Sequence, residues 1–358
     1  MLMNNIKRIQ DALTNHDCDA MLISSPVNRL FATGFSSSAG MFLVTANDAW
    51  FFTDARYIEA ARAAVSNAAH VEIITAEQPY TERLNAVFES AHISSVGFED
   101  GVVTYAEYRE WEAKLTAKLC PMQKMPEHLR AVKSEIDLEK MKRAQQISEK
   151  AFLEILPLIG TDITEKELSA ELVYRMVKNG ADDKSFPPIV VSGTKSSMPH
   201  GVPGDVKIGP GFLTIDFGAR LDGWCSDTTR TLCIGQPTDE MVKVYDTVLK
   251  AQEAGIGAAR AGVSGQDIDA AARAVIETAG YGEYFGHGLG HGLGLEVHEW
   301  PRTAPGCDYP IPAGAVVSSE PGIYLPGKFG VRIEDSICIT DGGNVNITGL
   351  TKELTVIG

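Results

Sequence analysis

The sequence lacks any stretch of about 18 uninterrupted apolar residues, the length that a membrane-spanning helix requires. Its first 20 residues lack the apolar core of a secretory signal peptide. Basic residues are scarce, since 32 lysines and arginines stand against 47 aspartates and glutamates, a formal net charge of -15. Because such a chain repels phosphate backbones, we do not expect a nucleic acid as its partner, and the missing apolar stretch leads us to expect no membrane.

Paired cysteine motifs are also missing. The six cysteines are scattered along 358 residues, and no two form a CxxC pair. This pattern is typical of reduced thiols rather than of a disulfide framework or a thiolate metal site, and it predicts a cytoplasmic protein. Hydrophobic residues make up 44% and charged residues 22%, which is ordinary for a globular chain of two or three domains.

The first part of the sequence alternates helical and strand patterns. MFLVTANDAWFFTD predicts a β-hairpin with Asn47 and Asp48 near its turn. The alternation lapses at CPMQKMPE, residues 120–127, which contains two prolines. We therefore predict a first α/β domain over residues 1–125 and a second domain over residues 126–358.

A weak internal repeat is visible in the second domain. Thr164 and Glu167 form a capping-box pattern at a helix start, and Ser264 and Asp267 form a similar, weaker one. Each cap is followed 16 residues later by a glycine suited to end a helix. Helical stretches at about 138–157 and 239–260 precede the two units. Two unrelated helices of equal length would explain the match as well.

Two aspartates lie on a predicted hairpin at residues 213–231, LTIDFGARLDGWCSDTTRT. Asp216 is near the end of the first strand and Asp227 is on the second. Paired strands lie about 5 Å apart, so facing carboxylates can share one site. Like charges that close raise each other's pKa unless a cation lies between them. For this segment alone, ordinary turn or capping aspartates are the favoured interpretation.

Three histidines, His287, His291 and His298, lie in the glycine-rich segment FGHGLGHGLGLEVHEWPR. Five glycines disfavour a helix, so we predict extended chain that other groups can approach closely. A phosphate-binding loop is a weaker interpretation, because no convincing helix follows to supply amides and a dipole. A lone histidine is usually structural, but three so close together favour a functional site.

Two glutamates lie within apolar, strand-like sequence at residues 316–340. Glu320 and Glu334 are costly to bury unless they are paired or bound to a metal, although edge-strand acids facing solvent would look the same. Glu320 follows Asp216 by 104 residues and Glu334 follows Asp227 by 107, close to the 100 that separate the capped helices. The repeat therefore predicts that four carboxylates meet about a pseudo-twofold axis.

Four carboxylates and one imidazole form a hard, oxygen-rich ligand set. Such a set suits two divalent ions, with Mn²⁺ as first choice over a thiolate-preferring metal, and Co²⁺ or Zn²⁺ as alternatives. Water bound between two such ions loses its proton readily and becomes a nucleophile, while the ions polarise a carbonyl. The residues alone therefore predict metal-dependent hydrolysis.

The chain resembles the pita-bread metallopeptidases, the family of methionine aminopeptidase, aminopeptidase P and prolidase. IDFGA, SDTTRT, GHGLGHGLGLEVHE, SEPGIY and GVRIED carry the resemblance, and NRLFATGFSSSAG and TDARYIEAA extend it to the first domain. It implies a mixed α/β (α+β) protein with an N-terminal creatinase/prolidase-like α/β domain. The second domain would be a pita-bread catalytic domain with a pseudo-twofold repeat, and the chain would form a homodimer.

The resemblance also implies roles for individual residues. The metal ligands would be Asp216, Asp227, His291, Glu320 and Glu334. Glu320 would also move the proton of the attacking water, and His298 would hydrogen-bond the substrate or the tetrahedral intermediate. His200 and His287 would line the substrate pocket. Arg332 would support the ligands from behind, with a surface arginine as the alternative.

The implied activity is release of the residue in front of a proline, by a dinuclear-metal-activated water. We expect an aminopeptidase P that acts on longer Xaa-Pro peptides, with the dipeptide-restricted prolidase as the alternative. An arginine placed like Arg302 binds the substrate carboxylate in some prolidases but also occurs in other members. Methionine aminopeptidase normally lacks the first domain, creatinase does not keep the metal ligands, and non-catalytic binding modules of this fold typically lose ligands.

Overall fold

The structure is a computed structural model that describes residues 2–160 and 162–358. The chain divides into two compact units, Met1–Arg130 and Ala131–Gly358. Within the described residues, no helix is both long and apolar enough to cross a membrane.

The first unit is built around one mixed six-stranded sheet. Its strands run in the order β4-β3-β2-β1-β5-β6, and β2 pairs antiparallel with both of its neighbours. The β2–β3 hairpin confirms the turn predicted at Asn47 and Asp48, since the amide of Thr45 donates to the Asp48 carbonyl at 2.9 Å. The strands are β1 Ala20–Ile23, β2 Met41–Thr45, β3 Ala49–Thr53, β4 His70–Ile73, β5 Ser95–Phe98 and β6 Lys118–Pro121. The helices are α1 Leu2–Leu13, α2 Pro26–Thr33, α3 Ile58–Val65, α4 Tyr80–Ser90, α5 Tyr105–Lys114 and α6 Met125–Ala131.

The second unit contains two similar halves, each with two helices and an antiparallel strand pair. The first half comprises α7 Glu135–Ile155, α8 Glu165–Lys178, β7 Asp183–Lys184, β8 Ile189–Ser192, β9 Gly211–Phe217, β10 Ala219–Leu221, β11 Trp224–Cys225 and β12 Thr228–Ile234. The second half comprises α9 Asp239–Ala258, α10 Gly265–Thr278, β13 Gly290–Gly292, β14 Glu299–Thr303, β15 Val316–Ser319, β16 Gly322–Leu325, β17 Phe329–Arg332, β18 Asp335–Thr340, β19 Gly343–Asn346 and β20 Val356–Ile357.

Matching local features confirm the predicted repeat. Helices α8 and α10 have 14 residues each and begin at the same offset, after the caps Thr164 and Ser264. Both cap residues form an isolated β-bridge, Thr164 to Lys207 and Ser264 to Pro310. Helix α7 packs on α8, helix α9 packs on α10, and each half buries its own apolar core.

The sheets of the two halves correspond as well. One has the order β20-β12-β9-β8, in which the late strand β20 returns to pair with β12 of the first half, and the other has the order β14-β13-β15-β18-β19. Antiparallel β9 and β12 in the first match β15 and β18 in the second. Asp227 directly precedes β12, and Glu334 directly precedes β18. The repeat therefore brings the acidic residues of both halves to corresponding strand ends.

The two glutamates lie at strand junctions, not inside strands as the apolar pattern predicted. Glu320 separates β15 from β16, and Glu334 separates β17 from β18. Pro321 has no amide hydrogen and cannot extend the ladder past Glu320. Strands β16 and β17 instead form a separate two-stranded sheet, so the chain turns at each glutamate.

Candidate metal centre

Asp216 and Asp227 come together through the β9–β12 pair. Asp216 pairs in register with Thr229, and Asp227 lies two residues before Thr229 on the same side of the strand. Both aspartates are buried. The residues between the two aspartates form the short strands β10 and β11. The pairing of β9 with β12 nevertheless brings the two carboxylates together.

Glu334 comes from the second half and contacts the same strand. Its amide donates to the Thr229 carbonyl at 3.1 Å, and its Oε2 accepts from the Thr229 hydroxyl at 2.8 Å. Only 1% of Glu334 is exposed to solvent, which excludes an acid that faces water. One threonine therefore links the acids of both halves.

His291 projects from β13 into the same cluster. Its Nε2 lies 3.1 Å from Glu320 Oε1 and 3.7 Å from Asp227 Oδ2. Its Nδ1 lies 3.1 Å from the Gly292 carbonyl, which can only accept, so Nδ1 carries a proton and Nε2 faces the acids. One ligand atom each from Asp227, His291 and Glu334 lie within 4.8 Å of one another, a spacing that a metal ion could bridge.

The charges of these residues are strongly coupled. Burial, together with the neighbouring carboxylates, raises the pKa of Asp227 and Glu334 well above the ordinary values. Burial also raises the pKa of Asp216. Burial acts the same way on Glu320, but the hydrogen bond and charge of His291 outweigh it and lower that pKa to about 2. Three of the four acids are therefore held in an environment that opposes their ionisation unless a cation is bound beside them.

Two oxygens show that this cluster fits divalent cations. Asp216 Oδ1 and Glu334 Oε1 are buried and have no hydrogen-bond partner among the described residues. Buried polar atoms are normally paired, because an unpaired one costs about 1–3 kcal/mol. Both oxygens belong to a set of four carboxylates and one imidazole, the donors that Mn²⁺-type ions prefer. A cation would give both oxygens a partner and would favour the ionised form of the acids.

Arg332 lies behind the cluster and is 4% exposed, which is not the environment of a surface arginine. Its Nη2 donates to Asp216 Oδ2 at 2.6 Å and its Nε to the Thr229 hydroxyl at 3.1 Å. Its Nη1 donates to the Tyr324 hydroxyl at 2.9 Å. Arg332 therefore orients one acid directly and reaches Glu334 through Thr229.

Thr229 and Tyr324 were not singled out from the sequence, although both lie inside the quoted motifs. Thr229 lies in β12, two residues after Asp227, which directly precedes that strand, so period-two alternation places both on the same face. Tyr324 follows the SEPGIY glutamate by four residues, and no sequence periodicity predicts that its hydroxyl meets Arg332. Strand alternation would have identified Thr229 from the sequence. The position of Tyr324 depends on the separate β16–β17 sheet.

The remaining histidines surround the cluster. The ring centres of His298 and His291 are 4.2 Å apart, and the rings are arranged edge to face. His287 reaches Tyr324, with 3.0 Å between its Nε2 and the hydroxyl oxygen. Burial lowers the pKa of both His298 and His287, which favours neutral imidazoles. The charge of His200 acts on both histidines, so the structure brings His200 to the same region.

Arg302 lies on β14 with an exposed side chain. Its amide donates to the Tyr309 hydroxyl at 3.0 Å. Its charge is among the causes that lower the pKa of His298. The guanidinium is therefore near the histidine side of the cluster and accessible to a soluble anion.

Models of two known families match this chain. The model described as metallopeptidase family M24 matches residues 139–341. The model of the creatinase/prolidase N-terminal domain matches residues 5–132. The creatinase/prolidase match covers the first compact unit, and the M24 match covers most of the second.

Similar proteins match over almost the whole length. A relative named Xaa-Pro dipeptidase from Pyrococcus horikoshii is 35% identical over 357 residues, with 99% of each chain covered. The solved structure of an Xaa-Pro dipeptidase from Bacillus anthracis has a TM-score of 0.95 and 38% identity, and the match covers 100% of both chains. The X-Pro aminopeptidase structure from Thermotoga maritima has a TM-score of 0.91 and 36% identity, covering 98% of this chain and 100% of that one.

Proposed function

Because the chain belongs to metallopeptidase family M24, we propose that it is an Xaa-Pro dipeptidase that hydrolyses the bond in front of proline. The observation that supports hydrolysis most directly is the buried cluster of four carboxylates and His291 with two unpaired oxygens. The complete cluster argues against a non-catalytic binding module. Family membership makes the chain a peptidase and implies divalent metal ions.

The choice of a dipeptidase departs from the sequence expectation, which put aminopeptidase P first. Relatives named Xaa-Pro dipeptidase match over nearly the full length, and they favour the alternative. The accessible guanidinium of Arg302 supports the same choice, because it suits a free carboxylate at the end of a short substrate. The similarity to an X-Pro aminopeptidase structure keeps that activity as the second candidate.

We propose that Asp216, Asp227, His291, Glu320 and Glu334 hold two divalent ions, Mn²⁺ before Co²⁺ or Zn²⁺. Bound there, such ions activate water and polarise a carbonyl. Family membership and the hard donor set support this assignment. In the same proposal the protein is a cytoplasmic homodimer. The six free thiols support the compartment, and sedimentation equilibrium would measure the assembly.

The side chains around the cluster suit the steps of hydrolysis. Glu320 is ionised and can accept a proton from the attacking water. The water oxygen bonds to the carbonyl carbon, the bond from that carbon to the proline nitrogen breaks, and Glu320 returns the proton to that nitrogen. His298 can donate a hydrogen bond to the oxygen that gains charge. His200 and His287 line the pocket, and Arg302 holds the terminal carboxylate.

The first test is hydrolysis of Ala-Pro and Ala-Pro-Ala by Mn²⁺-loaded protein, with and without a chelator. We expect chelator-sensitive cleavage of Ala-Pro and little cleavage of the tripeptide. Cleavage of the tripeptide at a comparable rate would favour the aminopeptidase instead. If neither peptide were cleaved in a chelator-sensitive way, proline specificity would be rejected.

A matched pair of substrates tests the carboxylate contact. Ala-Pro and Ala-Pro-amide differ only in the terminal charge. Arg302→Gln should raise KM for Ala-Pro about tenfold, because a charge-assisted pair is lost, and should leave Ala-Pro-amide nearly unchanged. An equal effect on both substrates would exclude the carboxylate contact.

A further inference from the structure

The irregular segment 285–289, which carries His287, is held from one side by an ion pair on helix α10. Asp269 and Arg273 are four residues apart and bind in a bidentate way, with Arg273 Nε 2.7 Å from Oδ2 and Nη2 3.0 Å from Oδ1. Arg273 donates to the carbonyls of Phe285 at 3.1 Å and of His287 at 2.8 Å. Asp269 accepts from the amide of Leu289 at 2.8 Å.

These three backbone contacts all lie on one edge of the segment. The carbonyls of Phe285 and His287 and the amide of Leu289 belong to alternate residues, and all three face helix α10. The segment belongs to no strand, so the ion pair takes the place that a neighbouring strand would have. Arg273 also lies over the Phe285 ring, 4.2 Å from its centre. The Asp269 side chain is 2% exposed, which makes this contact stronger than an ordinary surface pair.

Fixing the backbone on both sides of His287 also fixes its ring. Nδ1 lies 2.8 Å from the Gly288 carbonyl, which can only accept, so the proton is on Nδ1. Nε2 then accepts from the Tyr324 hydroxyl, which itself accepts from Arg332. Gly288 cannot carry a side chain, because its Cβ would lie 2.6 Å from the Cβ of Ala304. The ring therefore has one orientation as long as the segment keeps its path.

We propose that Asp269 and Arg273 are positioning residues, which hold segment 285–289 so that His287 meets the substrate in its Tyr324-bonded orientation. The pair contacts neither the cluster acids nor His291 through any hydrogen bond of the described residues. Removal of this ion pair is expected to weaken substrate binding and leave the metal content unchanged. This inference rests on the proposed function, because His287 is assigned there to the substrate pocket.

The first half of the repeat holds the other pocket histidine in a similar way. Glu165, on helix α8, is fully buried and accepts from the Ser192 amide at 2.7 Å and the Gly204 amide at 3.1 Å. Lys195 donates to the same carboxylate at 2.7 Å. These contacts bracket the loop that carries His200. A buried helix carboxylate with a cationic partner thus supports a histidine loop in each half.

The chain supplies a matched control for the α10 pair. Glu171 and Arg175 form an ion pair of the same spacing on helix α8, with Arg175 Nε 2.6 Å from Glu171 Oε1. Both side chains are about a third exposed, and among the described residues Arg175 makes no hydrogen bond to a backbone carbonyl. Arg175→Gln therefore removes a helix ion pair without removing support from a pocket loop.

The test is a double-mutant cycle between Arg273→Gln and His287→Ala in the Mn²⁺-loaded full chain. We expect Arg273→Gln alone to lower kcat/KM for Ala-Pro about tenfold, mainly through KM, with unchanged metal content. In the His287→Ala background the same change should cost less than about twofold, because residues that act through one another are not additive. Arg273→Lys should restore part of the loss, and Arg175→Gln should have no effect.

Hydrogen exchange of the peptide covering 285–290 gives a readout that needs no activity. Arg273→Gln should speed exchange there and leave exchange around residues 196–204 unchanged. An equal loss of kcat/KM in both backgrounds, loss of metal, or unchanged exchange would each overturn the inference. An inactive wild-type protein whose exchange still depends on Arg273 would instead reject the proposed function and leave the positioning contact in place.

Discussion

At the scale of single residues, the acids of the cluster are the most unusual feature of the molecule. Asp227 and Glu334 are buried beside other carboxylates, which raises the pKa of both. A group whose pKa is raised by folding stabilises the protein below its ordinary pKa, and this contribution is lost as pH rises through the folded value. The metal-free protein should therefore lose stability as pH rises above the ordinary carboxylate range.

Metal binding should reverse this trend. The ions require ionised acids and a neutral His291, whose pKa the hydrogen bond and charge of Glu320 raise despite burial. We therefore expect the increase in Tm caused by Mn²⁺ to grow with pH across the range from 5 to about 8. Scanning calorimetry with and without Mn²⁺ at each pH measures this increase.

Two variants test whether the stabilisation by Mn²⁺ depends on a proposed ligand. Glu334→Gln keeps the shape of the side chain but removes one charge, so the stabilisation by Mn²⁺ should shrink and its pH dependence should flatten. His298→Ala serves as the control, because it should keep the metals and lose most of the rate. A full Mn²⁺ response in Glu334→Gln would remove Glu334 from the ligand set.

At the scale of secondary structure elements, Arg230 joins strand β12 to β18 and to the chain that follows it. Its Nη2 donates to Asp335 at 2.8 Å and to the Leu350 carbonyl at 2.7 Å, and its Nε donates to the Thr351 carbonyl at 2.8 Å. Its Nη1 donates to the Glu334 carbonyl at 2.5 Å. One side chain therefore ties the last segment to the position of a candidate ligand.

Arg230→Met should be strongly destabilising. The pair with Asp335 is 3% and 1% exposed, and removal of one buried charged partner typically costs about 3–5 kcal/mol. Urea unfolding of the metal-free protein measures this loss. Arg175→Gln is the control, since a solvent-accessible helix pair contributes little to stability. Equal midpoints for the two variants would show that the Arg230 contacts are not needed for stability.

At the scale of the whole molecule, the domain division predicted from the sequence falls at the end of the connection between β6 and α6, a few residues before the first compact unit ends at Arg130. Gln123 and Lys124 are exposed there and have positive φ angles of 47° and 62°. Exposed connections of this kind are preferred sites of proteolytic cleavage. The proposed division into residues 1–125 and 126–358 thus predicts early cleavage by trypsin after Lys124.

The longer product should retain the metals, because every candidate ligand lies in the second unit. Limited proteolysis followed by mass spectrometry and metal analysis would check both parts. An earlier cut inside residues 1–120 or 131–358, or metal loss on cleavage after Lys124, would contradict the proposed division.

Local chemistry determined much of this protein from the sequence alone. Helix caps, turns and apolar alternation act between neighbouring residues, so they predicted the β2–β3 hairpin, the capped helices α8 and α10, and the repeat. The offsets of 104 and 107 residues followed from that repeat and predicted that the acids of both halves meet. The metallopeptidase family was recognisable from the same motifs.

Only the tertiary structure decided which atoms in the site are paired. Thr229 links to Glu334 across 105 residues, and Arg332 reaches Asp216 across 116. The clamp of Asp269 and Arg273 on segment 285–289 likewise joins a helix to chain outside any strand. Sequence patterns report the face on which a side chain lies, but such contacts depend on how separate elements pack, and packing is not a periodic property.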